Sequence, residues 1–242
     1  MKRLTAAITG LILVAGAGVA SAHGIWIAER WGEHGLVYGH GAEDGSYDPA
    51  KISSVKLIDE DGNELAGSIT AHNDHAVLEK ADDAAIALID FDNGFYTKDA
   101  NGKWHNRPKS EFPNAETAGR YIKHTISILH LHGDMPEIAP QDLQIIPLSN
   151  PTELEAGSSM KLRVLYKGDP LPGITIIPDY VNMPEQNGAT TDQKGMVEVV
   201  VRNNGLNVIA AKHSVDLVDD KDADLVQHFA TLSFVAGGEH SH

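Results

Sequence analysis

The sequence predicts a mainly β protein built from two β-sandwich-like domains. Short segments rich in Ile, Val, Trp and Tyr recur along the chain, and Gly, Asn, Asp or Pro residues separate them. From residue 141 onward these segments form a regular series of predicted strands with compact turns between them. Strands that recur at such short spacing, with no helical period between them, are typical of a β-sandwich.

The first half of the chain contains short predicted strands joined by turns. Asp61-Gly62-Asn63 is a strong hairpin signal, and residues 99–102 form a second turn of similar composition. Residues 116–131 suit either a helix or a strand, and the β-branched side chains of their second half favour a strand. The other predicted strands are residues 24–29, 35–39, 55–58, 64–69, 94–97 and 103–104.

The second half carries the more regular pattern. Its predicted strands are residues 143–147, 159–166, 174–180, 195–201, 206–212 and 228–235. Pro147 and Pro151 flank the polar residues Ser149-Asn150, and this short linker marks a predicted domain boundary. We therefore expect an N-terminal His-rich β domain at residues 23–147 and a C-terminal β-sandwich at residues 148–237, followed by a His-containing tail at residues 238–242.

Residues 1–22 have the pattern of a cleaved export signal. Lys2 and Arg3 supply positive charge, an apolar run follows, and Ala20-Ser21-Ala22 is the small-x-small pattern that signal peptidase reads. We expect the mature chain to begin at His23 and to be periplasmic in a cell with two membranes. A membrane anchor is the alternative, but the run lacks stop-transfer charges, and no later stretch is long and apolar enough to span a bilayer.

The composition excludes several kinds of partner and site. The chain has 34 acidic and 19 basic side chains, a formal charge of −15 that becomes −17 when Lys2 and Arg3 are removed. Nucleic acid is therefore not an expected partner. The absence of Cys excludes disulfides and thiolate metal sites. The unusual feature is the presence of 13 histidines, of which nine precede the predicted domain boundary.

The positions of the histidines suggest metal ligation. A histidine at a free N-terminus can offer its α-amine and its imidazole to one ion, a clamp that no internal histidine forms. In a strand, alternate residues face the same side, so a His-x-His sequence can direct two imidazoles at one ion. Surface placement is the alternative for each residue, and His213 and His228 are expected to be structural. The predicted metal-site residues are His23, His40, His72, His75, His130 and His132.

The donor types narrow the choice of metal. Imidazole with amine and carboxylate donors suits Ni²⁺, Co²⁺, Cu²⁺ or Zn²⁺, whereas Cu⁺ normally draws on Met or Cys. The methionines that follow the export signal are scattered, so a cuprous site is not expected. We expect a divalent transition ion.

Several segments resemble a known exported family. His23-Gly24-Ile25-Trp26-Ile27 resembles the opening of the periplasmic components of cobalt/nickel uptake systems, a family also known as a domain of unknown function. Residues 143–151, residues 165–173 and Ala230-Thr231-Leu232-Ser233-Phe234 are similar to its central segment, its C-terminal sandwich and its closing strand. The resemblance implies an Ig-like or carboxypeptidase-regulatory-like second domain, nickel or cobalt as the ion, His23 as the metal-facing residue and a membrane importer as partner.

Three functions remain open at this stage. The first is a non-enzymatic periplasmic protein that captures Ni²⁺ or Co²⁺ for a membrane importer. The second is a copper protein or copper oxygenase with an N-terminal histidine clamp, although such enzymes generally need a flat aromatic or polar surface and the chain has 6% aromatic residues. The third is a structural or adhesion module, because fold does not dictate function. No hydrolase or nucleotide motif occurs in the sequence.

Overall fold

The structure is a computed structural model that describes residues 23–79 and 81–237. The predicted export signal at residues 1–22 and the tail at residues 238–242 lie outside the described residues. The fold is mainly β, with 49% strand and 3% helix, which confirms the predicted class. The helical part is two short 3₁₀ turns at Pro49–Lys51 and Lys109–Glu111, and none of the helices in the described residues is long and apolar enough to cross a membrane.

Strands account for about half of the described chain. In chain order they are β1 (Gly24–Arg30), β2 (Glu33–Gly39), β3 (Ile52–Ile58), β4 (Glu64–Ala66), β5 (Ser68–Ala71), β6 (Ala76–Glu79), β7 (Ile86–Lys98), β8 (Trp104–His105), β9 (Thr117–Ile128), β10 (Leu143–Pro147), β11 (Ser159–Tyr166), β12 (Asp169–Pro170), β13 (Met196–Val200), β14 (Leu206–Asp216) and β15 (Leu225–Val235).

The strands form three sheets. The N-terminal sheet has the order β1-β2-β6-β5, and the C-terminal sheet has the order β10-β11-β12 with β13 also paired to β11. The central sheet has the order β14-β15-β9-β7-β3-β4, with β8 beside β7. Because β15 pairs in parallel with β9, strands from both sides of the predicted boundary at residue 147 share one sheet. The division into two domains stays a prediction.

The central sheet is the middle layer of the fold, because its two faces are covered by different sheets. Alternate residues of a strand face opposite sides. One face meets β1, where Ser127 Oγ accepts a hydrogen bond from the backbone N–H of Ile27 and Thr231 Oγ donates one to the backbone carbonyl of Ile25. The opposite face carries Ile126 and packs into one apolar core with residues of β10 and β11. Side chains of the central sheet therefore satisfy backbone groups of β1 and hold it in place.

Most of the predicted strands are present, and the two main differences have physical causes. Residues 143–147 and 159–166 are strands with the predicted bounds, and residues 117–128 are a strand. The prediction of a strand at residues 174–180 is wrong: Thr175 and Ile177 make only isolated bridges, and the chain turns after Pro178, which has no N–H to extend a ladder.

The largest element that sequence analysis missed is the first half of β7. Residues 86–89 are an apolar run without alternation, because this part of the strand is covered on both faces by the outer sheets. A strand buried on both faces lacks the period of two that identifies a half-buried strand. The sequence pattern predicts only residues 94–97 of this strand.

Candidate metal site at His23 and His40

The pairing of β1 with β2 brings two of the predicted site residues together. The pairing of the two strands ends at Gly24 opposite Gly39. His23 therefore directly precedes β1, and His40 directly follows β2. Their ring centroids are 6.5 Å apart. The ring of Tyr38 stacks on the ring of His23 with the centroids 4.9 Å apart and the planes 8° from parallel. The antiparallel hairpin thus places two imidazoles at one end of the N-terminal sheet.

Gly39 allows an acidic side chain to reach the same place. A Cβ atom at this position would lie 2.0 Å from the carbonyl oxygen of Glu43, a distance that real Cβ atoms do not show. The chain can therefore fold back closely after β2 only because residue 39 is glycine. The resulting turn places a carboxylate oxygen of Glu43 3.7 Å from Nε2 of His23.

Tyr180 connects the backbones beside both histidines. Its hydroxyl accepts a hydrogen bond from the N–H of Gly24 and donates one to the carbonyl of Gly39, each at 3.0 Å. The side chain is buried, and burial raises the pKa of its hydroxyl, so the hydroxyl keeps the proton that it donates. The ring also meets the ring of His40 edge-on, with the centroids 5.8 Å apart. Tyr180 therefore fixes the spacing between the ends of β1 and β2, beside which the two histidines lie.

The segment after Tyr180 adds a second carboxylate. Oε1 of Glu185 lies 2.8 Å from Nε2 of His40. An imidazole whose second nitrogen donates to a carboxylate is the common arrangement around metal-ligating histidines. This partner is far from His40 in the sequence, and no short motif indicates it.

Nδ1 of His23 is the exceptional atom of the site. It is buried and has no hydrogen-bond partner within the described part of the chain. Burial lowers the pKa of His23 below 6.5; Glu43 opposes this shift, and Lys123 and His40 add to it. At neutral pH the imidazole is therefore unprotonated and able to act as a ligand. Buried polar atoms normally have partners, so an orphaned lone pair here fits a group that is bound from outside the chain.

Lys123 is a charged residue of the site region that sequence analysis missed. It lies on β9, on the face that meets β1, and is 0% exposed. Its Nζ has no hydrogen-bond partner in the described residues and lies 5.3 Å from the ring centroid of Phe229 and 5.7 Å from that of Tyr121. Burial lowers the pKa of Lys123 to about 7. The sequence shows only a lysine within a run rich in β-branched residues, which does not reveal that the side chain points inward.

The predicted histidines 72 and 75 lie elsewhere, at the turn between β5 and β6. Their rings stack with the centroids 4.4 Å apart, and Nδ1 of His75 is 2.8 Å from Oδ1 of Asp74. Both residues are exposed. They form a surface pair that is separate from His23 and His40.

The predicted histidines 130 and 132 form a third pair, just after β9. Their ring centroids are 6.1 Å apart. The N–H and Nδ1 of His132 lie 2.7 and 2.8 Å from Oε1 of Glu60, and these contacts hold the pKa of Glu60 below its usual value. The six predicted residues thus form three pairs. Within residues 23–79 and 81–237 no group of three or more His, Cys, Asp or Glu side chains is arranged to hold a metal ion.

A second arrangement of histidines lies on the opposite face of the central sheet. Nδ1 of His124 is 2.7 Å from Oδ1 of Asp90, and Nε2 of His124 is 3.0 Å from Nδ1 of His228. Burial and the neighbouring His124 lower the pKa of His228 to about 4, so it is neutral at neutral pH. From the sequence, His228 was expected to be structural; this chain of contacts, which joins three different strands, was not predicted.

Fold and site together define a mainly β protein with a histidine pair at the open end of the β1–β2 hairpin. The chain belongs to the family described as a domain of unknown function, DUF4198, whose profile matches residues 20–215. An uncharacterized protein of Haemophilus influenzae (strain ATCC 51907 / DSM 11121 / KW20 / Rd) is 25% identical over 227 residues, which cover 93% of each chain. A chimeric titin Z1Z2-Z1Z2 tandem aligns with 85% of this chain and 90% of its own, at 10% identity and a TM-score of 0.19, too low to assign a fold.

Proposed function

We propose that this protein is a non-enzymatic, exported metal-binding protein that captures Ni²⁺ or Co²⁺ in the periplasm and passes it to a membrane importer. The observation that carries the proposal is the orphaned, buried Nδ1 of His23. Cleavage after Ala22 would make this same residue the first of the mature chain. The α-amine that cleavage creates would then belong to the residue whose ring nitrogen has no partner.

These two nitrogens make a natural chelate. An ion bound by the α-amine and Nδ1 of one histidine closes a six-membered ring, so the second donor binds without a further loss of translational freedom. The imidazole of His40, with its ring centroid 6.5 Å from that of His23, supplies the third nitrogen. Amine and imidazole donors suit Ni²⁺, Co²⁺, Cu²⁺ and Zn²⁺.

The surrounding residues support the same proposal. Glu43 and Glu185 bring negative charge to the site, and an opposite charge favours a bound cation. Tyr180 and Gly39 fix the spacing between the ends of β1 and β2. This preorganisation lowers the free-energy cost of arranging the ligands when the ion binds. The proposed role in uptake follows from the resemblance to periplasmic components of cobalt/nickel systems.

Calorimetric titration of Ni²⁺ into the protein with His23 as its first residue tests the proposal. We expect His23→Ala to weaken binding at least about 100-fold, because the variant loses the chelate ring. His40→Gln should weaken it by about one imidazole ligand, roughly 10- to 100-fold. His75→Gln is the matched control, since it removes an exposed imidazole at the turn between β5 and β6. Unchanged affinity in His23→Ala, or no binding of Ni²⁺, Co²⁺, Cu²⁺ or Zn²⁺ below millimolar, would contradict the proposal.

A further inference from the structure

Four polar side chains lie in a row across the central sheet, on four adjacent strands. Asp90 of β7 is opposite His124 of β9, and His213 of β14 is opposite His228 of β15. The rings of His124 and His228 stack with the centroids 5.3 Å apart and connect the two halves of the row. A row of this kind on the interior face of a sheet is expensive to bury unless each member is hydrogen-bonded.

The hydrogen bonds of the row determine which nitrogen of each ring carries a proton. The carboxylate of Asp90 can only accept, so the proton in its contact belongs to Nδ1 of His124. When both imidazoles are neutral, Nε2 of His124 is then an acceptor, and Nδ1 of His228 must be the donor. This assignment leaves a lone pair on Nε2 of His228. The row of hydrogen bonds therefore ends at Nε2 of His228, an unprotonated nitrogen that can bind a metal ion. Its protonation state is fixed by the distant carboxylate of Asp90.

His213 provides a second imidazole on the neighbouring strand, directly opposite His228. Residues directly opposite each other on antiparallel strands have their Cβ atoms about 4.5–5.5 Å apart and point to the same side. No hydrogen bond within the described part of the chain involves either ring nitrogen of His213 or Nε2 of His228. The Tyr166 ring touches both imidazoles, with its centroid 4.7 Å from the ring of His213 and 5.4 Å from that of His228.

We propose that His213 and His228 form a second metal site that binds a divalent, imidazole-preferring ion such as Zn²⁺, Cu²⁺ or Ni²⁺, with water in its remaining positions. Asp90 and His124 act as positioning residues, in the carboxylate–histidine arrangement that orients metal-bound imidazoles. Besides His124 and His213, the charged groups that act on His228 are Asp142 and Lys167, which have opposite sign. The site does not depend on His23 or on the state of the N-terminus.

Zn²⁺ titration of the full mature chain carrying His23→Ala separates this site from the first one. We expect one equivalent of Zn²⁺ to bind, and ¹⁵N NMR of histidine side chains to show the Nε2 signal of His228 and one ring signal of His213 moving together. His213→Gln should abolish these changes. His105→Gln is the matched control, because His105 is a partly buried imidazole held by Asp99. Zn²⁺ binding that is unaffected by His213→Gln would overturn the proposal.

The role of Asp90 has its own readout. Before any metal is added, the NMR spectrum at pH 8 should show His228 protonated at Nδ1. Asp90→Asn should mix the two tautomers of His124 and His228 and weaken Zn²⁺ binding roughly 10- to 100-fold. A spectrum in which His228 is protonated at Nε2 in the unsubstituted chain would contradict the assignment. A result against this site leaves the Ni²⁺ titration at His23 unaffected, so the two proposals fail separately.

Discussion

Two residues, Ala-Pro, placed ahead of His23 should lower the affinity of the protein for Ni²⁺ on the order of 10²- to 10⁴-fold. The imidazole of His23 and all other side chains stay in place, and only the amine of the chelate is lost. Proline is chosen because it brings no backbone N–H that an ion could displace as a substitute donor. Calorimetry of the extended and the authentic N-terminus measures the difference.

The same extension in a His23→Ala background is the control. That background has already lost the chelate, so the extension should change its affinity little. An extended protein that binds Ni²⁺ as tightly as the authentic one would show that the α-amine is not a ligand. The experiment also has a practical consequence, because a tag left ahead of His23 would remove the α-amine of His23 from the site.

Lys123→Met should raise the free energy of unfolding at pH 7 by roughly 2–4 kcal/mol. Burial lowers the pKa of Lys123 from 10.5 to about 7, and each pH unit of such a difference corresponds to about 1.4 kcal/mol. The cation–π contacts of Nζ with the rings of Phe229 and Tyr121 offset about 1–2 kcal/mol of the free-energy cost of burying the charged amine. Methionine keeps the length of the side chain and fills the same space without a charge. Urea unfolding measures the change.

The pH dependence distinguishes this cause from better packing. Between pH 7 and about pH 10 the unfolded chain binds the proton of Lys123 and the folded chain does not, so the stability of the unsubstituted protein rises with pH across this window. Below pH 7 both states bind the proton, and the full cost is present. The Lys123→Met variant should lose the rise between pH 7 and 10.

Lys212→Met is the matched control for this substitution. Lys212 is an exposed residue of β14, in register with Phe229, and its replacement should change stability by no more than about 0.5 kcal/mol. A Lys123→Met variant that is less stable than the unsubstituted protein by about 1 kcal/mol or more would show that the buried amine makes a stabilising contact.

The fold could be predicted where a strand is half-buried, because alternation and turn residues are then visible. The hairpin around Gly62 and the strand β11 are of this kind. The first half of β7 was not predicted, because both its faces are covered. The pairing of β15 with β9 was not predicted, because it joins residues more than 100 positions apart. Local patterns carry no information on such a parallel pairing.

The site was predictable only in part, for a similar reason. The predicted cleavage site after Ala22 indicates His23 as a terminal ligand. The β1–β2 hairpin, which His23 precedes, places His40 beside it. The residues that complete the site, Tyr180 and Glu185, come from a segment more than 130 positions later. Lys123 and the chain Asp90–His124–His228 depend on which face of a strand is covered, and a single sequence does not show that.

X-ray diffraction at the nickel absorption edge, from crystals of the mature protein grown with one equivalent of Ni²⁺, tests the central claim most directly. We expect an anomalous peak roughly 2.0–2.1 Å from both the α-amine and Nδ1 of His23, a typical metal–nitrogen distance, with the imidazole of His40 as a further ligand. A peak at His72 and His75, at His130 and His132, or anywhere else that leaves Nδ1 of His23 unbound would contradict it.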